Sequence, residues 1–325
     1  MNDCPPTLGD RLEGVLLEAV VAWIRRGPLS DAYRKSTRLA RLARRLLASE
    51  WAWANANLTL IYGASLTPEQ RERLALLAFE NIFHSHMEAI RVHEVTMRDE
   101  GVERLQAAHA LGRGVLVVGV HLGCWEPGLK RLGSLVAPTA ILYRHANNPL
   151  SEKKFMEMRA GYGVEWISRQ NTRAIVRAFQ ERKVLGFMTD INTRQGGITA
   201  PFLGLTAQCP PGPARLALKF QTPLLPVVAT RAAPGEAVFR VGEPIEPPAI
   251  TDGDPEARVQ TLTARINAAF VPWIHEYAEQ YNWLHARWRA RPDGSLWRPE
   301  TALRMDNPVP ATPSPRVLRL LQTPR

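Results

Sequence analysis

His121 and Glu126 are the residues of this chain whose types and spacing could do acid–base chemistry. They lie in the run Val115-Leu-Val-Val-Gly-Val-His121-Leu-Gly-Cys-Trp-Glu126-Pro127. An apolar strand ends on a histidine, a glycine-containing turn follows, and Glu126-Pro127 opens a helix. That places both titratable groups at the carboxyl edge of a sheet, where ligands collect in α/β proteins. On one continuous helix, residues five apart project about 140° from each other, so only a turn lets the carboxylate reach the imidazole. A carboxylate so placed fixes the imidazole tautomer and stabilises the imidazolium, while the free ring nitrogen takes a proton from a hydroxyl nucleophile. The same run is also what an ordinary buried strand and helix start would look like, and the residues alone leave both readings open. Cys124 beside the histidine adds a third reading, a thiol nucleophile activated by His121, against that of a small buried hydrophobe.

The chain around this run has 325 residues, is 45% hydrophobic and 22% charged, which excludes a mostly disordered protein. The excess of Lys plus Arg over Asp plus Glu, 41 against 31, gives +10, so the surface should attract an anionic partner: nucleic acid, an acidic membrane face or an acidic protein. Three cysteines, Cys4, Cys124 and Cys209, contain no Cys-x-x-Cys pair, so neither a disulfide framework nor a zinc ribbon is expected. The N-terminal stretch lacks the features of a signal peptide. The apolar stretch Gly14 to Ile24 is shorter than the roughly 20 residues that span a bilayer.

From Gly114 onward, β-branched runs at 115–120, 139–143, 164–167, 184–188 and 224–230 alternate with helical segments near 126–133, 149–161, 171–182 and 212–221. Alternation of this kind predicts an α/β fold, a central, mostly parallel sheet surrounded by helices. Residues 10–50 read as helix broken once at Gly27-Pro28. The second half sets Arg34, Lys35, Arg38, Arg41, Arg44 and Arg45 among Leu39, Leu42, Leu46 and Leu47, a pattern that fits either a solvated basic face or a helix lying on anionic lipid. Trp23, Trp51 and Trp53 are nearby, and indoles favour the headgroup layer. Thr67-Pro68 predicts a helix start, with helix to about His93. His84 and His86 on it point to different faces, against a metal pair. A last helix is expected over about 255–281, followed by a Pro-punctuated tail. The organisation expected is a helical amphipathic segment 1–55, a main domain 56–298 and a tail 299–325 carrying Pro308, Pro310, Pro313 and Pro315, without a packed core of its own.

In the form HLGCWE, His121-x4-Glu126 resembles the H-x4-(D/E) block of the late acyltransferases of lipid A biosynthesis, within the wider lysophospholipid acyltransferase group. Tyr143-Arg144 with Asn148-Pro149 resembles the family's YRP…NP block, and Arg159 with Gly161 or Gly163 its arginine-plus-glycine block. Asp190 with Pro201-Phe202-Leu203-Gly204 resembles its third block, and Trp283-Leu284-His285-Ala286-Arg287-Trp288 the closing W-x-H-x-R-(W/F) signature. The blocks span about residues 55–290 in order.

The resemblance implies a glycerol-3-phosphate acyltransferase-like fold and transfer of a fatty acyl group from an acyl carrier protein or coenzyme A thioester to a lipid hydroxyl. It makes His121 the general base, Glu126 its orienting partner, Arg159 a fixed cation near the thioester or oxyanion, and Asp190 a support for that arginine or a positioner of the acceptor. Arg144, Asn148 and Gly204 become substrate-binding candidates, Arg144 through phosphate recognition. No metal or tightly bound cofactor is implied. A lipid A precursor is the acceptor expected first, while the departures of Cys124, Ile191 and Cys209-Pro210-Pro211 from the family pattern keep a lysophospholipid, an aminolipid or a glycolipid as alternatives. The family's N-terminal membrane anchor is expected to be missing or shortened here. Attachment is then expected to be peripheral, at the cytoplasmic face of the inner membrane, through the basic segment 10–50. A nucleic-acid binder is disfavoured by the lack of any recognised motif. A catalytically silent membrane-binding protein is the alternative from another class.

Overall fold

The computed structural model describes residues 6–249, 253–304 and 310–323; Cys4, Pro308 and the first five residues of the N-terminal stretch lie outside them. Nine strands form a seven-stranded sheet and a separate two-stranded hairpin among these residues. In chain order the strands are β1 (Thr96–Glu100), β2 (Val115–Gly123), β3 (Thr139–Tyr143), β4 (Glu165–Ser168), β5 (Val184–Met188), β6 (Ile198–Phe202), β7 (Leu205–Cys209), β8 (Leu224–Ala233) and β9 (Glu236–Val241). The main sheet runs β1-β9-β8-β2-β5-β3-β4, parallel throughout except where β8 meets β9.

The expected α/β architecture is therefore present. β1 and β9 were not anticipated: Thr-Met-Arg-Asp-Glu in β1 is polar because it forms a sheet edge with half-exposed side chains, which removes the apolar run that marks a buried strand. The β6–β7 hairpin was also missed. It stands outside the main sheet, and its turn puts Leu203 and Gly204 both at positive φ, 49° and 80°.

β2 is apolar along most of its length because it is covered on both faces. Leu116, Val118, Val120 and Leu122 point into one core, which also holds Phe270, Trp283 and Trp288, while Val115 and Val117 point into a second with Leu132 and Phe239. The strand's twofold alternation therefore puts residue 121 on the second face.

Twelve α-helices surround the sheet among the described residues. α1 (Leu8–Arg25) and α2 (Leu29–Leu46) make the helical entry, interrupted at Gly27-Pro28 as the sequence predicts. α3 (Ala48–Tyr62) leads to α4 (Pro68–Ile90), whose start carries a full capping box between Thr67 and Gln70. α6 (Trp125–Leu135), α7 (Pro149–Arg159), α8 (Thr172–Gln180) and α9 (Gly212–Phe220) follow α5 (Val102–Ala110), and α10 (Pro255–Glu276) is the last long helix. In the tail, α11 (Pro299–Leu303) and α12 (Pro315–Gln322) bring Ala302, Val317 and Leu321 into the main core. Arg316 fastens α12 to Glu279 at 2.7 Å. None of the described helices is long and apolar enough to cross a membrane.

A buried polar knot joins the entry helices to the sheet. Arg231 of β8 donates to Glu88 of α4 through Nε and Nη2 at 2.5 and 2.6 Å and to Asn81 Oδ1 at 2.5 Å. The Tyr33 hydroxyl donates to Glu88 Oε1 at 2.5 Å and accepts from the Gly235 amide at 2.8 Å. Glu88 is 1% exposed and Arg231 11%. Removing one partner leaves the other charge buried and uncompensated, so Glu88→Ala should lose about 3–5 kcal/mol of stability, read by denaturant unfolding.

The nominated tryptophans separate. Trp23 stays about one third exposed, with the Lys35 ammonium over its ring, whereas Trp53 is buried and Trp51 packs edge-on against Phe79. Trp53 therefore cannot face a headgroup layer, and Trp23 is the most open of the three. Lys35 turns inward and donates to the Trp23 and Arg26 carbonyls at 2.8 and 2.6 Å, closing the C-terminal end of α1.

Candidate active site

The corner after β2 decides where the site residues go. Gly123 has φ +66°, and a Cβ there would stand 2.1 Å from the Ala229 carbonyl oxygen, so only glycine permits the close approach to β8. The next amide, Cys124 N, donates to that same carbonyl at 2.8 Å. The chain then swings into α6 and places Glu126 in its first turn, where the helix dipole favours a carboxylate.

His121 and Asp190 meet because of sheet register. β2 and β5 are parallel neighbours with Gly119 beside Met188. Two residues further along each chain, Asp190 takes hold of His121 twice: Oδ2 accepts from the His121 amide at 2.9 Å and Oδ1 faces Nδ1 at 2.8 Å. The His121 carbonyl accepts from the Asn282 amide at 3.0 Å. Trp125 stands edge-on to the imidazole at 5.4 Å. With Nδ1 committed to the carboxylate, Nε2 is left without a partner among the described residues.

Asp190 is 3% exposed, while 29% of the His121 side chain reaches solvent, so the base is open to solvent with its carboxylate buried behind it. Enclosure works against the charged imidazole, but the charge of Asp190 and its hydrogen bond outweigh it, with Glu126 adding to them, and the His121 pKa is raised above 6.5. Asp190 responds in the opposite sense: burial opposes its ionisation, yet His121 holds it at about 2. The Tyr281 phenol borders Asp190 and has its own pKa pushed up by burial and by that carboxylate.

This pairing corrects two expectations. Glu126, expected to orient His121, is instead gripped by Arg159, through Nε to Oε2 at 3.1 Å and through Nη2 to Oε1. Asp190, expected to support Arg159 or to position the acceptor, occupies the position on His121 instead. The reason is geometric: Glu126 lies in the first turn of α6, within reach of the last residue of α7, while Asp190 follows the strand hydrogen-bonded to β2. The Arg159 guanidinium lies over Trp166 at 4.6 Å, and burial is outweighed by Glu126 in raising its pKa. Its Nη1 has no partner among the described residues.

The three substrate-binding candidates fare differently. Arg144 is exposed, with Nη2 on Asn147 Oδ1 at 2.9 Å, and remains open to an anion. Asn148 is buried and used at both ends: Oδ1 caps α7 by accepting from the Leu150 amide at 2.9 Å, and Nδ2 donates to the Asp10 carbonyl of α1 at 3.1 Å. It is a helix cap and a tether rather than a substrate contact. Gly204 is the second turn residue of the β6–β7 hairpin, needed there for its backbone conformation. Cys124 is fully buried, its pKa is driven far up by burial, and its thiol donates to the Ala229 carbonyl at 3.4 Å, which removes it as a nucleophile. His84 contacts Thr37 and Tyr33 while His86 stands against Trp125, so the two do diverge.

Residues beyond the nominated set complete the surroundings. Tyr143, His145 and Glu152 share hydrogen bonds of 2.9–3.0 Å beside Arg144. Asn192, two residues past Asp190, ties its loop to the segment 285–290 through its amide, which donates to His285 Nε2 at 2.9 Å, and through Nδ2, which donates to the Arg287 carbonyl at 2.9 Å. Sequence reasoning had His285 only inside a motif, with no chemistry attached to it.

A family model described as bacterial lipid A biosynthesis acyltransferase matches residues 13–290. The chain is 25% identical to the lipid A biosynthesis lauroyltransferase of Escherichia coli K12 over 281 residues, 82% of this chain and 88% of that one. It is 29% identical to the lipid A biosynthesis palmitoleoyltransferase of the same organism over 270 residues, 79% of this chain and 85% of that one. A lipid A biosynthesis acyltransferase of Haemophilus influenzae is 24% identical over 184 residues, 55% of this chain and 57% of that one.

Proposed function

Because the chain belongs to the bacterial lipid A biosynthesis acyltransferases and is an acyltransferase, we propose that it moves a fatty acyl group from a carrier-protein or coenzyme A thioester to a hydroxyl of a lipid A precursor. The observation that carries the mechanism is the 2.8 Å contact between His121 Nδ1 and Asp190 at the carboxyl edge of the sheet. His121 Nε2 takes the proton of the acceptor hydroxyl as its oxygen attacks the thioester carbonyl carbon. The carbonyl π pair moves onto oxygen. Collapse of this intermediate breaks the C–S bond, and the leaving thiolate receives the proton from the imidazolium. The products are an ester and a free thiol. Asp190 stabilises the imidazolium in between. Arg159, neutralised by Glu126 on one edge, offers Nη1 to the developing oxyanion or the thioester. Arg144 lies open for a phosphate of the acceptor or of the carrier's phosphopantetheine. The chain needs no metal or bound cofactor for this sequence.

Attachment to the cytoplasmic face of the inner membrane would be peripheral. α1 exposes Leu8, Leu12, Val15 and Leu16 at 64–74%, and α2 exposes Leu42 and Leu46 among Arg38, Arg41 and Arg45. Apolar side chains beside exposed cations suit an anionic bilayer surface. Vesicles containing anionic lipid should cosediment the protein, and L12E/L16E should weaken that binding at least about tenfold, since two buried leucines carry several kcal/mol; unchanged binding would place the contact elsewhere.

The reaction is tested by incubating purified protein with acyl carrier protein and coenzyme A donors against a lipid A precursor, a lysophospholipid, an aminolipid and a glycolipid, with products read by mass. Ester formation on the lipid A precursor is the expected result. Transfer to another acceptor alone would reassign the substrate, and no transfer with normal vesicle binding would favour a silent membrane-binding protein.

A further inference from the structure

The segment after α10 folds back over the end of β2. Tyr281 bridges Leu122, the Asn282 amide donates to the His121 carbonyl at 3.0 Å, and Asn57 Nδ2 donates to the His285 carbonyl at 2.8 Å. This strap carries the His285 imidazole to the loop that holds Asp190. There the Asn192 amide donates to Nε2 at 2.9 Å. A backbone N–H can only donate, so Nε2 must hold a lone pair and the ring proton must lie on Nδ1.

That Nδ1–H has no hydrogen-bond partner among the described residues, and it is not among the buried polar atoms left without one. It is therefore reached by solvent although the residue is half-buried. The ring sits on the strap whose Asn282 amide holds the His121 carbonyl, and it interacts electrostatically with both Asp190 and His121. Burial holds its pKa down to about 4, against the pull of Asp190, so the imidazole stays neutral wherever His121 can act as a base. A neutral N–H of fixed tautomer, reached by solvent near the base and unable to compete for the nucleophile's proton, has the chemistry of an electrophilic donor.

We propose that His285 Nδ1–H is a catalytic hydrogen-bond donor to the thioester carbonyl oxygen, and to the oxyanion that forms on it as the acceptor oxygen attacks. The assignment rests on the proposed transfer reaction with His121 as base. His285 gives up no proton in the step: the hydroxyl proton passes to His121 and then to the leaving thiolate, and His285 only strengthens a hydrogen bond as charge builds on oxygen.

Three variants separate this role from an anchoring one. His285→Gln can accept from the Asn192 amide and still offer an N–H; His285→Glu can accept but, once ionised, offers none; His285→Ala does neither. Removing an oxyanion donor lowers kcat by about 100-fold or more. Glu and Ala should therefore lose about that factor in kcat with little change in the KM for the thioester. Gln should stay within about tenfold of wild type, with the acid limb of its pH profile unmoved, because that limb belongs to His121. Thermal midpoints of all three are measured alongside. The proposal is overturned if Gln and Glu behave alike, if the loss lies wholly in KM, or if Ala keeps wild-type kcat. A wild-type enzyme that transfers nothing to any acceptor overturns the reaction itself, and the assignment of His285 with it.

Discussion

His121→Ala brings acyl transfer down by about three to four orders of magnitude, the upper range for losing a positioned general base, and leaves the fold intact. The imidazole hangs from the open end of β2, with 29% of its side chain reaching solvent. The strand itself is held by its neighbours β5 and β8, whose ladders do not involve the ring. The variant should therefore unfold within a few degrees of wild type and bind the thioester with nearly unchanged KM. Residual turnover, if measurable, should lack the acid limb seen in wild type. A variant that retains more than a tenth of the activity removes His121 from the chemistry.

Asp190→Asn is expected to cost about three to four orders of magnitude in kcat, because an amide can neither stabilise the imidazolium nor enforce the productive tautomer. It also makes a directional prediction in pH. Only neutral His121 accepts a proton, so kcat/KM falls as pH drops through the His121 pKa. In wild type that pKa lies above 6.5, because the Asp190 charge and hydrogen bond outweigh the cost of enclosure. Asparagine removes both favourable contributions and leaves the enclosure, so the limb should move to lower pH. A limb that stays in place, or moves upward, would mean that another group governs it. Glu126→Gln provides the control. It leaves the Asp190 contact in place and removes only a lesser contribution, so its limb should move less.

Much of the fold was readable because β2, β3, β5 and β8 are apolar runs set between helical stretches. The polar edge strand β1 carried no such mark. In the site, residue types were legible and partnership was not. His121 and Glu126 were visible as a strand end and a helix start five residues apart, and proximity in sequence made them look like partners. The actual partner, Asp190, is 69 residues away and arrives by strand register, which no local spacing encodes. Asn148-Pro149 shows the opposite case. The same cap-plus-proline logic that placed a helix start at Thr67-Pro68 applies there, so its structural role was available from the sequence but lay hidden behind the motif reading.

The position of β5 between β2 and β3 also bears on when this enzyme becomes competent. After β2 the chain builds β3 and β4, and only then returns with β5 to fill one of the two places beside β2, the other being taken later by β8. On a ribosome, His121 emerges well before the residue that activates it, and two strands must be laid down with a vacancy the width of one strand between them and β2. Such long-range parallel insertion is slow compared with local helix formation. Until it happens the imidazole has no carboxylate and its basicity is ordinary. On the proposed mechanism a half-assembled chain would therefore neither squander thioesters nor acylate stray hydroxyls, and the docking of β5, which brings Asp190, is the step that would turn the catalyst on.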